Sequence, residues 1–130
     1  MARIEVPVSA GELVDKVTIL EIKSERIADP AKLANIRREL AGLGEILRPM
    51  LANTPALERS KASLRTINET LWQIEDDIRD CERKKDFGPR FIELARSVYR
   101  SNDKRAGAKR EIDALLGSEL VEEKSYASYD

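Results

Sequence analysis

Two groups of polar and aromatic side chains in the second half of the chain have the residue types of a ligand site. Members of the first group are spaced by four, three and four positions, so they share one face of a helix: Asn68, Trp72, Glu75 and Arg79. The second group follows about twenty residues later: Arg96, Tyr99, Asn102, Asp103 and Arg105. The arginines could bind a carboxylate or phosphate, while the aromatic residues stack on a ring and Glu75 or Asp103 acts as acid or base. The alternative is a structural network of salt bridges that fixes the register of two helices.

Several kinds of chemistry are excluded or disfavoured by composition. The chain has no histidine and one cysteine, so it lacks the side chains of a serine–histidine or cysteine–histidine site and of an ordinary zinc site. Its acidic clusters lack the spacing of a calcium loop, and there is no glycine-rich phosphate loop. We therefore predict no metal and no cofactor, and a scaffold or adaptor is favoured over an enzyme.

The elements that would position these side chains are long helices. Apolar residues recur at steps of three and four in two runs, which predicts helices with one buried stripe each. The first run is Leu33, Ile36, Leu40, Leu43, Leu47 and Met50; the second is Leu64, Ile67, Leu71, Ile74, Ile78 and Cys81. The predicted fold is an all-α antiparallel bundle with coiled-coil-like packing, in which Cys81 is a buried apolar residue.

Local signals divide the 130 residues into one helical domain (10–116) between an extended N-terminal arm (1–8) and an acidic C-terminal tail (118–130). Ser9 with Glu12 is a capping box that opens helix one, predicted at about 10–28. Asp29-Pro30 opens helix two, at about 31–51, and Thr54-Pro55 opens helix three, which extends to about residue 85. Helix four follows Gly88-Pro89 and ends before Gly117, so helices three and four form a long hairpin.

Helix one is apolar on two sides. Leu13, Val17 and Leu20 cluster on one side, and Ile19 and Ile22 fall nearly opposite. Such a helix is either central to its own bundle or shared between the bundle and a partner chain. On the second interpretation the chain is a homo-oligomer, most simply a dimer, and the candidate contacts are Val6, Val8, Ile19 and Ile22.

Charge is unevenly distributed along the chain. Residues 79–110 carry 11 basic and 5 acidic side chains, whereas residues 111–130 carry 1 basic and 6 acidic ones. We expect the tail to fold back on the basic tip of the hairpin or on a neighbouring subunit. A pI of about 5.7 and the lack of interleaved aromatic residues disfavour nucleic acid as a partner. No apolar run reaches the ~20 residues of a membrane span, no signal-peptide core is present, and a cytoplasmic location is expected.

The chain resembles, nearly end to end, a family of small uncharacterised bacterial helical proteins known only as a domain of unknown function. The resemblance rests on residues 11–23 (GELVDKVTILEIK), 68–79 (NETLWQIEDDIR), 91–99 (FIELARSVY), 102–106 (NDKRA), 117–118 (GS) and 122–126 (EEKSY). It implies no established activity, but it suggests an association with surface-polysaccharide or glycosyltransferase systems.

The sequence is therefore compatible with two functions. The first is a self-associating helical scaffold or adaptor, which would also contact a further protein partner. The second is a small enzyme, or an anion- or sugar-nucleotide-binding module, with its site between helices three and four.

Overall fold

The computed structural model describes residues 2–129, and these form four helices with no strand. The helices are α1 (Ala10–Arg26), α2 (Pro30–Asn53), α3 (Ala56–Arg83) and α4 (Pro89–Leu116). The all-α bundle predicted from the apolar stripes is confirmed, with helix ends within two residues of those predicted. Residues 1 and 130, assigned to the predicted arm and tail, lie outside the described residues.

Most helix ends are set by the predicted local signals. The Ser9 hydroxyl accepts a hydrogen bond from the Glu12 amide at 3.1 Å, and the Asp29 carboxylate accepts one from the Lys32 amide at 2.9 Å. Gly117 ends α4 in the left-handed conformation, with φ 61°, which glycine adopts without a Cβ penalty. The prediction for Thr54 is wrong, because no side chain caps α3. The Thr54 amide instead closes α2 on the Met50 carbonyl at 3.0 Å.

The longest elements, α3 and α4, form an antiparallel hairpin. Each has 28 residues, or roughly 40 Å at 1.5 Å per residue. Near the turn, Asp77 pairs with Arg90 at 3.8 Å. Farther away, Asn68 and Arg105 both bind Asp15 of α1. Asp77 and Arg90 are 13 positions apart in sequence, and Asn68 and Arg105 are 37 positions apart. Because contacts farther from the turn join residues that are farther apart in sequence, the two helices run in opposite directions. The coiled-coil character of this packing stays a prediction.

Helix α1 is central, because it packs against α2, α3 and α4. Its buried apolar residues join the stripes of the other helices in one core: Leu13, Val14, Val17, Leu47, Leu57, Leu64 and Ile112. Burial of these side chains supplies the main free energy of folding. Cys81 is a buried free thiol, as the stripe predicts. The two-sided apolar character of α1 is therefore explained largely within a single chain.

The acidic tail lies along the second half of α4. Glu122 pairs with Lys109 at 2.7 Å, Glu123 pairs with Arg110 at 2.8 Å, and the Tyr129 hydroxyl donates to Asp103 at 2.6 Å. The tail therefore folds back on basic residues as expected, but on α4 rather than on the tip of the hairpin. Among residues 2–129, no helix combines the length and the apolar composition needed to cross a bilayer.

Candidate functional site

A polar cleft of about 410 Å³ lies where α1, α3 and α4 meet. Six of the nine side chains predicted to form a ligand site line this cleft: Asn68, Trp72, Glu75, Arg79, Asn102 and Arg105. Helix α1 contributes Ile19, Ile22 and Lys23, and α3 adds Leu71 and Asp76. The structure thus brings most of the two sequence groups to one place, with a third wall that the sequence groups did not include.

The other three predicted residues lie outside the cleft. Arg96 is exposed and pairs with Glu93 on its own helix at 3.5 Å. The ring of Tyr99 packs 5.1 Å from that of Tyr129, whose hydroxyl binds Asp103. Trp72 and Tyr99 therefore belong to different surfaces, and the tail occupies the second one.

A buried network forms the inner wall of the cleft. Asp15 is 1% exposed and accepts hydrogen bonds from Arg105 Nε at 2.9 Å and Arg105 Nη2 at 2.5 Å. The Asn68 amide donates to Asp15 Oδ1 and to Thr18 Oγ1, both at 2.9 Å. The hydrogen bonds that Arg105 donates to Asp15 hold the pKa of its guanidinium above the ordinary value, against the opposing effect of burial. Asn68 and the Nε and Nη2 atoms of Arg105 thus belong to a structural network that joins the helices. Such a network was the alternative to a ligand site.

Asp15 was not among the residues selected from the sequence. A signal for it exists, because a carboxylate between Val14 and Val17, in a helix that is apolar on two sides, is expected to be paired when the helix is central. Its partner could not be named, since Arg105 is 90 positions away and many basic side chains were available.

Not every donor in the cleft is used by the fold. Within residues 2–129, the Lys23 ammonium, the Trp72 indole N–H, the Asn102 amide and Arg105 Nη1 have no hydrogen-bond or ion-pair partner. Arg79 pairs only with Glu75, at 3.2 Å on the surface of α3. The Arg26 guanidinium lies over the Trp72 ring, 5.9 Å from its centroid, a position that favours a fixed indole orientation. The cleft can therefore offer donors to a bound molecule at no cost to the bundle.

A second polar cluster ties the start of α1 to the end of α4 and the tail. Lys109 Nζ lies 2.7 Å from both Glu12 Oε2 and Glu122 Oε2, and its side chain is 9% exposed. Burial lowers the pKa of Lys109, but these two carboxylates outweigh burial and hold it above its ordinary value. The same contact lowers the pKa of Glu122. All three charges are paired within the chain, so this cluster has the character of a structural clamp.

An apolar groove lies beneath the N-terminal arm. The groove has a volume of about 710 Å³ and is lined by the arm, α1, α2 and the end of α4, including Leu13, Leu43 and Met50. Along the arm, Ile4 is 83% exposed and Val6 67%. Residues 2–8 make no backbone–backbone hydrogen bond to any described residue. The arm therefore presents apolar side chains and unpaired peptide groups at the edge of an apolar surface.

The four candidate oligomer contacts lie in different places and differ in exposure. Val6 and Val8 are exposed on the arm, and Ile19 is half-buried at the polar cleft. Ile22 is 2% exposed, so its side chain is used inside its own bundle. Ile22 therefore offers little surface to a partner chain, whereas Val6 and Val8 are accessible on the arm, and the four assignments stay predictions. No group of three acidic or cysteine side chains within residues 2–129 could hold a metal ion.

Fold and surfaces define the chain as a four-helix bundle with a polar cleft on one side and an apolar arm on another. The family model described as "Family of unknown function (DUF6165)" matches residues 4–129, and the chain belongs to this family. No curated protein and no solved structure matches the chain.

Proposed function

We propose that this protein is a self-associating helical scaffold or adaptor, and that two copies pair through their N-terminal arms. The observation that carries the proposal is the arm itself, whose apolar side chains are exposed and whose backbone is unpaired above an apolar groove. An exposed strand-like edge of this kind is a template for pairing with another chain. The bundle then serves as a rigid body that holds the two arms.

The position of proline determines which edge of the arm can form hydrogen bonds with a second arm. In an extended chain, alternate peptide groups point to opposite edges. The edge that carries the amides of Ile4 and Val6 is free of proline. The opposite edge carries Pro7, which lacks an N–H and cannot donate. Pairing is therefore expected along the Ile4–Val6 edge alone, which limits the assembly to two arms.

Charge selects the register of the pair. In an antiparallel two-fold arrangement centred on Ile4, Arg3 of each copy lies opposite Glu5 of the partner subunit. Opposite charges directly across two strands are favourable, and the two-fold axis forms this pair twice. In the same register Ile4 lies against its own symmetry mate, and the apolar face of both arms can cover the groove. A second copy of the chain thus matches the arm in backbone, charge and hydrophobicity.

The proposal includes a cytoplasmic location and the surface-polysaccharide context that the sequence resemblance suggests. A free, buried Cys81 thiol supports a reducing compartment, where disulfides are rare. Nucleic acid is not included among the partners, because the tail neutralises part of the basic surface of α4.

The test is the mass of the purified protein in solution, measured by sedimentation or light scattering over a range of micromolar concentrations. Wild type should have twice the 14.7 kDa mass of the chain. Ile4→Asp should be monomeric, because two aspartates would then face each other on the two-fold axis. Ile92→Asp is the matched control, since Ile92 is also exposed, at 54%, but lies on α4; this variant should remain dimeric. A wild-type protein that is monomeric throughout would refute the proposal.

A small enzyme at the polar cleft is the second candidate. The observation that favours it is the convergence of six predicted site residues on one recess. Asp103 lies outside this recess with Tyr129, so of the two acids or bases predicted from the sequence only Glu75 lines it. Because Glu75 already pairs with Arg79, a binding role for the cleft is better supported than a catalytic one.

A further inference from the structure

Arg105 has the arrangement of an anchored anion-binding arginine. Asp15 binds the Nε and Nη2 edge of its guanidinium, and the side chain is still 30% exposed at the cleft. Because guanidinium is planar and carries five N–H donors, an acceptor on one edge fixes the direction of the others. Nη1 has no partner within residues 2–129. A ligand oxyanion would therefore meet an arginine whose orientation is already set by the fold.

Other groups in the cleft follow a definite order along the hairpin. Asn102 lies three residues before Arg105 on α4, so the two side chains are neighbours on that helix. Asn68 shares Asp15 with Arg105 and marks the same level on α3. Distances along the axis of α3 follow from the rise of 1.5 Å per residue. Measured from Asn68 toward the hairpin turn, Trp72 is about 6 Å away, and Glu75 and Asp76 are about 10 to 12 Å away. The cleft thus has Arg105 at one end, Trp72 in the middle, and Glu75 and Asp76 together with Arg79 at the other end.

We infer that the cleft binds a small ring-bearing oxyanion, a phosphate or carboxylate joined to a planar ring that carries a hydrogen-bond donor. Arg105 and Asn102 would bind the oxyanion, Trp72 the ring, and Asp76 the donor at the far end. Ile19 and Leu71 supply apolar lining to the same cleft. A volume of about 410 Å³ is within the range of small-molecule sites, about 300–1,000 Å³. This inference is independent of arm pairing, because the arm does not line the cleft.

Each part of the proposed ligand is complementary to one feature of the cleft. The oxyanion satisfies donors that the bundle leaves unused, and charge-assisted hydrogen bonds to arginine are the strong ones. A planar ring suits an indole that Arg26 already holds at 5.9 Å, since aromatic groups stack with offset geometry. A hydroxyl or amino group suits Asp76, which has no ion-pair or hydrogen-bond partner among residues 2–129.

The experiment is a calorimetric titration of the full chain with two anionic probes and their neutral counterparts. Uridine monophosphate and 4-hydroxyphenylacetate carry the phosphate and the carboxylate; uridine and 4-hydroxyphenylethanol carry the same rings without charge. Trp72 is the one tryptophan, so its emission reports whether binding occurs at the cleft. We expect one anionic probe to bind with a change in Trp72 emission and its neutral counterpart to bind at least tenfold more weakly. The probe that binds identifies phosphate or carboxylate as the oxyanion.

Variants separate the site from the fold. Arg105→Lys keeps a positive charge beside Asp15 but removes the planar fork, and it should weaken binding about tenfold or more. Asn102→Ala removes a side chain that has no partner in the fold, so it should weaken binding without lowering Tm. Arg96→Ala and Asn53→Ala remove the same residue types outside the cleft and should bind as wild type. The inference is overturned if neither anion binds, if the neutral compounds bind equally well, or if Arg105→Lys and Asn102→Ala both bind as wild type.

Discussion

Asp15 and Arg105, 90 positions apart in the chain, form a two-point ion pair that joins the central helix to the hairpin. Asp15 is almost completely buried, and it also accepts the Asn68 amide. Removing one partner of such a pair leaves uncompensated buried polar groups, which typically costs about 3–5 kcal/mol. We therefore expect Asp15→Ala to lower the free energy of unfolding by about 3 kcal/mol, measured by urea denaturation.

Two further variants test the physical reason for this cost. Glu45→Ala also removes one carboxylate from an ion pair, but Glu45 and Arg48 are 69% and 72% exposed, so its effect should stay within about 1 kcal/mol. Asp15→Leu combined with Arg105→Met removes both charges and should be more stable than Asp15→Leu alone. Equal losses for Asp15→Ala and Glu45→Ala would show that the buried pair does not hold α1 in place.

The sequence predicts most of the fold because its signals are local. A stripe at steps of three and four is sufficient to place Leu64, Ile74 and Cys81 in the core, where they are found. Asp29 and Gly117 bond to backbone groups within about one helical turn of their own positions. The prediction for Thr54 failed because only two residues join α2 to α3. Its amide donates to Met50 of α2 and its carbonyl accepts from Leu57 of α3, whereas its side chain caps neither helix.

The cleft was only partly predictable for a reason of helix geometry. At about 100° per residue, Asn102 lies about 60° from Arg105 around α4, whereas Asp103 lies about 160° and Arg96 about 180° away. Grouping these residues by proximity in sequence therefore mixed two faces of one helix. The contributions of Asp15 and Lys23 depend on how α1 packs on the hairpin, and no periodicity in the sequence specifies that packing.

Gly11 and Gly107 should respond in opposite directions to the same substitution. A Cβ on Gly11 would overlap the backbone carbonyl oxygen of Lys109 and lie 3.0 Å from Asp113 Oδ1. Gly107 is also helical, but no atom lies within 4 Å of the position its Cβ would take. We expect Gly11→Ala to lower the free energy of unfolding by about 1–3 kcal/mol through overpacking. Gly107→Ala should raise it by about 0.5–1 kcal/mol through helix propensity.

Thermal unfolding followed by circular dichroism measures both glycine variants under one condition. The Gly11 amide also donates to Asp113 at 2.6 Å, so any shift of α1 away from α4 lengthens this bond as well. If Gly11→Ala and Gly107→Ala both raised Tm, the close approach of α1 to α4 would be incorrect.

The Lys109–Glu122 pair should make stability depend on pH in the acid range. Lys109 lowers the pKa of Glu122 from its ordinary value of 4.5, so the folded state binds this proton less readily than the unfolded state. The stabilisation is therefore complete above pH 4.5 and is lost as the pH falls through the lower pKa of the folded state. Glu122→Gln should be less stable than wild type at neutral pH, and this difference should shrink in acid.

The measurement for this pair is Tm against pH for wild type, Glu122→Gln and Glu123→Gln. Glu123 pairs with Arg110 but its side chain is 77% exposed, so Glu123→Gln should follow the wild-type curve closely. A Glu122→Gln deficit that is the same at every pH would show that the side chain matters for a reason other than its charge.

The tail masks basic surface on α4, and its removal should create affinity for polyanions. Residues 119–130 carry four acidic and one basic side chain, so deletion changes the net charge from −1 to +2. Deletion also removes Glu122, one of the two partners of Lys109, and Glu123, the partner of Arg110. Truncation after Ser118 keeps the contact of that hydroxyl with the Ala10 amide at 3.1 Å. We expect the truncated protein to elute from heparin at higher salt than wild type.

A pair of double variants separates local unmasking from the change in net charge. Glu122→Gln with Glu123→Gln keeps the full tail but removes its two ion pairs with α4. Glu58→Gln with Glu111→Gln removes the same number of charges from exposed positions outside the tail. If the tail covers a basic surface, the first double variant should bind heparin more strongly than the second, because only the first removes carboxylates that pair with Lys109 and Arg110. Equal elution of the two variants would mean that net charge alone governs binding and that the tail contact has no masking role.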